Sequence, residues 1–233
     1  MRRIAFLVLF VAATLTTWAQ QQKKTWSVIP HIGVSVATLT GAGMNIAIAD
    51  NNELELKPHA RLGFTGGADV MYQATDRVGI SAGLAYIQGG CNYKDIDINE
   101  NVWHDHYLRA DYVVVPILIH SYVAQGFSIN AGLSPSFRVR GKYHAGLQSY
   151  DHDADGHKTN IREDEIDMDV KDGLRKFSLS IPIGISYEYE NVVLDARYNV
   201  GVLNISNQGL SSRSNILEVS VGYKLCLLYT SDA

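Results

Sequence analysis

From Phe177 to Tyr189 every odd position is large and apolar: Phe177, Leu179, Ile181, Ile183, Ile185, Tyr187, Tyr189. The even positions between them, Ser178, Ser180, Pro182, Gly184, Ser186 and Glu188, are small or polar. A repeat of two residues is incompatible with an α-helix and describes a β-strand with one apolar and one polar face. The same alternation recurs along the chain. It predicts outward apolar faces at Trp26, Val28, Pro30, Ile32, Val34 and Val36, then at Leu62, Phe64, Gly66, Ala68, Val70 and Tyr72. Further faces follow over Val78 to Tyr86, Phe127 to Val139, Val192 to Val200 and Leu217 to Leu225. One stretch, Tyr112 to Val123, is apolar on both faces, so its phase stays open.

Eight strands result, and their connections alternate between long and short. The tight turns fall at Ala74 to Arg77, Gln125-Gly126 and Glu190-Asn191. The long segments fall near Thr40 to Pro58, Asn92 to Ala110, His144 to Gly173 and Asn204 to Ser214. That rhythm, with even strand number and aromatic strand ends, predicts an all-β, eight-stranded antiparallel up-and-down transmembrane barrel with short periplasmic turns and long external loops. Closure of the first strand on the last leaves no edge in hydrocarbon. A soluble lipocalin-like binder of a small lipophile is the alternative, and it would turn the apolar face inward. The polar faces carry Arg61, Asp69, Arg138, Arg140, Glu188, Asp195, Arg197, Glu218 and Lys224, a mixture suited to a charge-paired barrel interior.

The termini fit a secreted product. Arg2 and Arg3, the apolar run Ile4 to Leu15 and the small-x-small triplet Thr17-Trp18-Ala19 predict a signal peptide over 1–19, and a barrel over 20–225. Residues 226–233, Cys226-Leu227-Leu228-Tyr229-Thr230-Ser231-Asp232-Ala233, read as the translation of a sequencing adapter and are set aside as a non-native scar. Cys91 then stands alone, which rules out an intrachain disulfide framework. A net charge of −4 gives no support to a nucleic-acid partner.

Two segments carry a family resemblance. Asp111-Tyr112-Val113-Val114-Val115-Pro116-Ile117-Leu118 resembles one strand of the PorT-like outer-membrane β-barrels of Bacteroidota. Asp195-Ala196-Arg197-Tyr198-Asn199-Val200-Gly201-Val202-Leu203-Asn204-Ile205 resembles their penultimate strand. Leu84-Ala85-Tyr86-Ile87-Gln88-Gly89-Gly90 fits the same pattern. The resemblance spans roughly Trp26 to Leu225. It implies an outer-membrane barrel of a Gram-negative bacterium, in contact with outer-membrane lipid, and says nothing of activity. One member of that family assists protein secretion, but no residue motif carries the role across.

Three constellations bear on chemistry. Asp151-His152-Asp153-Ala154-Asp155-Gly156 matches the first half of a calcium loop, which makes Asp151, Asp153 and Asp155 candidate Ca2+ ligands. The twelfth position, where a bidentate glutamate belongs, is Arg162. A solvated acidic segment explains the same residues and is preferred: Asp151 to Asp172 holds nine carboxylates against three Lys or Arg. His104 and His106, two apart on an extended chain, are candidate zinc or copper ligands, although two imidazoles make only half a tetrahedral set. No catalytic set is legible: His120 and Asp111 are nine residues apart on one strand, and no G-x-S-x-G elbow exists. No cofactor and no enzymatic activity are expected. The expected function is a structural or interaction role through the external loops of a monomer. The alternatives are an accessory part in secretion or envelope assembly and the soluble binder.

Overall fold

The computed structural model describes residues 24–41, 44–48, 52–98, 100–152, 157–207 and 211–227. The signal peptide expected over 1–19 lies outside them. The strands are β1 (Trp26–Thr40), β2 (Met44–Ile48), β3 (Asn52–Leu56), β4 (Arg61–Gln73), β5 (Val78–Asn92), β6 (Ile96–Ile98) and β7 (Asn101–Val114). They continue with β8 (Ile117–Ala124), β9 (Phe127–His152), β10 (Lys158–Asp169), β11 (Phe177–Tyr189), β12 (Val192–Gly201), β13 (Arg213–Tyr223) and β14 (Leu225–Leu227). A 3-10 turn, Lys171–Gly173, precedes β11.

Every pairing is antiparallel, and the ladders form a closed circuit. β1 pairs with β4, β4 with β5, β5 with both β8 and β7, and these two with β9. From β9 the circuit runs through β11, β12 and β13 and returns to β1. β7 and β8 are the two halves of one crossing, interrupted at Val115-Pro116, where proline cannot donate to a ladder. Leu225 to Leu227 extend the β1 ladder through Trp26↔Leu227, Ser27↔Cys226 and Val28↔Leu225.

The alternating residues face as their period requires. Ile32, Leu62, Leu84, Ile119, Ile183 and Leu194 all stand exposed on the outer surface. An apolar band of this extent, wrapped round a polar interior, inverts the arrangement of a water-soluble sheet and matches a hydrocarbon solvent. No helix among the described residues is long and apolar enough to cross a membrane.

One end of the circuit is closed by tight turns. Thr75 Oγ1 accepts hydrogen bonds from the Arg77 and Val78 amides at 3.3 and 3.0 Å, and Gly126 turns with φ +71°. The other end differs from the expected irregular loops. The Thr40 to Pro58 segment contains the β2–β3 hairpin, and Asn92 to Ala110 is largely β6 and the upper part of β7. Within His144 to Gly173 the described residues are largely paired strand: β9 runs for 26 residues and β10 returns along it. A tilted crossing needs only about 9–11 residues. The excess continues upward as a projecting sheet in the order β6-β7-β9-β10.

A bulge settles the open phase of the Tyr112 region. The register between β7 and β9 skips Val139, pairing Asp111 with Arg140 but Tyr112 with Arg138. A bulge adds one residue and turns the following side chains to the other face. Arg140, expected inside, is therefore 54% exposed, whereas Tyr112 is buried.

Candidate functional site

The interior divides into two layers. Toward the projecting end, Ala37, Ile87, Ala110, Tyr112, Val114 and Ile216 form an apolar cluster. A second cluster comprises Leu39, Leu56, Cys91, Tyr93, Ile96 and Ile205. Toward the turns the interior is polar, because the inward faces of β4, β8, β9, β11, β12 and β13 all carry charged or hydroxyl residues there. Of the charged residues expected inside, Asp69, Glu188, Asp195, Arg197, Glu218 and Lys224 lie in this layer. At the other end, beside an apolar plug, Arg61 lies over the Tyr107 ring and Arg138 donates to the Lys171 and Leu174 carbonyls.

The polar layer is connected. Glu218 accepts from Thr65 Oγ1 at 2.8 Å and from Asn199 Nδ2, joining β4, β12 and β13. Asp195 takes Ser186 Oγ at 2.7 Å, Asn130 Nδ2 at 3.2 Å and the Arg197 guanidinium at 3.1 Å. Lys224 Nζ reaches Glu188 at 2.8 Å. His31 Nε2 lies 3.9 Å from Asp69 Oδ2. Buried charges of this kind hold only where each meets an opposite charge or several hydrogen bonds. A cavity of about 40 Å³ lies among His31, Asp69, Ser81, His120 and Arg197, room for water rather than for a solute path.

Inside this layer Ser81 Oγ and His120 Nε2 are 2.9 Å apart. Sequence spacing sets His120 only against residues of its own strand, whereas its partner stands on β5. The pair arises from the Ile80↔Ile119 register, which places Ser81 and His120 on the same inward face. A hydroxyl–imidazole contact is one part of a nucleophilic site, which also needs an orienting acid and access for substrate. This one is buried, among strands packed on their own side chains.

The projecting sheet is the second candidate. Lys142 Nζ and His144 Nδ1 both reach Asp167, at 2.9 and 2.8 Å, and Gln148 Nε2 donates to Glu163 at 3.1 Å. Those hydrogen bonds hold the Asp167 carboxyl below the usual range, and Lys171 does the same for Asp169. Tyr107 stacks on the His144 ring at 4.9 Å. Tyr150 donates to Asp97 at 2.9 Å, and Lys158 Nζ lies 3.8 Å from the Tyr150 ring. These contacts tie β10 and β9 to β7 and β6 as one body. At its base, Arg109 Nε donates to both oxygens of the buried Asp111, at 3.0 and 2.8 Å, and Tyr86 Oη donates at 2.7 Å.

The metal candidates lie in this sheet. Asp151 is the penultimate residue of β9, where its carboxylate accepts from Asn160 Nδ2 at 3.1 Å; Asp153 and Asp155 lie outside the described residues. His104 is half exposed beside Asp105, at 3.3 Å, while His106 is buried edge-on to Trp103. Burial lowers the His106 pKa. A register shift between His104 and Tyr107, with Asp105 at φ +51°, interrupts the alternation that would aim the two rings alike. Among the described residues no group of three or more His, Cys, Asp or Glu could hold a metal ion.

Solved structures similar to the chain are outer-membrane proteins, all at low identity. Ail of Yersinia pestis, in complex with the heparin analogue sucrose octasulfate, is 16% identical with a TM-score of 0.43, covering 87% of this chain and 99% of Ail. OprG of Pseudomonas aeruginosa is 11% identical with a TM-score of 0.42, covering 90% and 99%. Neisserial surface protein A is 15% identical with a TM-score of 0.41, covering 86% and 97%. No curated protein sequence matches. The family described as "outer membrane protein beta-barrel domain" matches residues 18–207. The chain belongs to that family, and its place is the outer membrane of a Gram-negative bacterium.

Proposed function

We propose that the chain is an eight-stranded up-and-down transmembrane barrel that acts as an interaction protein through its external sheet and not as a channel or an enzyme. The observation that carries this reading is the contrast between its two parts. The interior is filled by a charge-paired layer and an apolar plug, while β9 and β10 extend far beyond the length a crossing needs. Eight strands enclose a space that side chains alone can fill. Solute passage is then disfavoured, and the displayed surface is what remains to meet partners. The likeness at 111–118 and 195–205 supports a PorT-like branch of the family. The surrounding ligand is outer-membrane lipid, held by the apolar band.

The test is complementation of a gene deletion with a barrel whose residues 143–168 are replaced by a four-residue turn. The shortened barrel should assemble, shown by heat-modifiable gel mobility, and fail to restore the deletion phenotype. Full restoration would overturn the reading. Steady single-channel conductance of the intact protein in planar bilayers would overturn the packed interior.

A further inference from the structure

The sheet closes on itself around the ring, but not above it. Among the described residues β10 pairs with β9 alone, so its other side is an open edge. Resting on the interaction role proposed above, we infer that this edge is a strand-addition site for an extended, Lys- or Arg-rich segment of another polypeptide.

The ladder defines which groups the edge offers. The Val170 amide donates to the Gly141 carbonyl at 3.2 Å, which sets the phase of the β9–β10 hydrogen bonds. In an antiparallel pair, alternate residues direct both N–H and C=O to the same neighbour. Arg162, Asp164, Ile166 and Met168 therefore bond β9, and Glu163, Glu165, Asp167 and Asp169 present their amides and carbonyls to the open side. From Arg162 to Asp169 the register is unbroken. Beyond it a register shift between Thr159 and Arg162, with Asn160 at φ +50°, distorts the edge near the tip. Bulges and charges are how native sheets blunt an edge against indiscriminate pairing.

Charge selects the occupant. The four edge-presenting residues are all acidic. Asp167 is met by Lys142 and His144 and Asp169 by Lys171, so Glu163 and Glu165 are the carboxylates left for a partner, on a strand with five carboxylates against two cations. A second copy would lay one acidic edge on another, and like charges opposed across strands destabilise pairing. A basic strand meets main-chain groups and opposite charges together, the combination by which strand addition gains both affinity and selectivity.

The test uses the full chain in phosphatidylcholine nanodiscs and three fluorescent eight-residue probes: a Lys-Val repeat, a Glu-Val repeat, and the Lys-Val repeat N-methylated at alternate residues. The Lys-Val repeat should bind at least tenfold more tightly than either of the others, because N-methylation removes donors and keeps the charge. Glu165→Pro removes an edge-facing N–H without touching the β9 ladder, and should weaken the Lys-Val repeat about tenfold with thermal unfolding unchanged. Glu163→Lys with Glu165→Lys should reverse the preference between the basic and acidic probes. Equal binding of the methylated probe would reduce the effect to general electrostatics and overturn the inference. So would no binding at millimolar probe, or disulfide-linked dimers of Glu165→Cys with Cys226→Ser. If these arms fail while the hairpin deletion still abolishes function, only strand addition falls and the interaction role stands.

Discussion

Lys224 and Glu188 meet inside the turn end of the circuit: the ammonium donates to both carboxylate oxygens, at 2.8 and 2.9 Å. Lys224 sits between β13 and β14, and Glu188 sits on β11, so the contact reaches past β12 and clamps the wall. Both side chains are nearly buried. Removing one partner strands the other charge, and Lys224→Met or Glu188→Gln should each destabilise by about 3 kcal/mol. The double variant Lys224→Met with Glu188→Leu should recover most of that loss. Urea unfolding in lipid vesicles measures all three, and equal losses in the single and double variants would refute the pairing.

Acid should loosen the projecting hairpin before the ring. Hydrogen bonds from His144 and Lys142 lower the pKa of Asp167 below its ordinary 3.8, and Lys171 lowers that of Asp169. A depressed folded pKa gives stabilisation that is complete above the unfolded value and lost as pH falls through the folded one. Amide exchange in β10 should therefore accelerate as pH drops below 3.8, relative to the intrinsic rate. Asp167→Asn should flatten part of that dependence, and an unchanged profile would count against the contact.

The two thiols should differ sharply in reactivity. Cys91 is buried above the apolar band among Leu39, Leu56 and Ile205, and burial pushes its thiol up to about 11. Cys226 is exposed. Maleimide at pH 8 should label Cys226 within minutes and reach Cys91 only after unfolding, since only about a thousandth of such a thiol is thiolate there. Equal labelling of both in the folded protein would contradict the apolar plug.

Two glycines separate inner from outer packing. A methyl group on Gly83 would fall 1.8 Å from Asp69 Oδ1, whereas one on Gly66 meets chiefly the exposed Phe64 ring, at 3.0 Å. Gly83→Ala should cost about 1–3 kcal/mol by displacing the Asp69 carboxylate and crowding the Ala68 carbonyl, 2.8 Å from the added methyl. Gly66→Ala should stay within about 0.5 kcal/mol, because the Phe64 ring has room to move. Folding titrations into vesicles give both values.

What alternation alone determines is local, and it was legible. Phe177 to Tyr189 is a strand with the bounds its repeat implies, and the tight turns at Ala74, Gln125-Gly126 and Glu190-Asn191 fall where polar and glycine residues mark them. The outward band followed from the same period and with it the solvent. Only the tertiary structure decided the rest, because register is set by pairing between distant segments. It put Ser81 against His120 and Asp69 near His31, and the Val139 bulge sent Arg140 outward. It also made Lys158 to Asp169 a strand instead of a loop. Its side chains are almost all exposed, so no apolar face marks the element; the β9 ladder that orders it is absent from its own sequence.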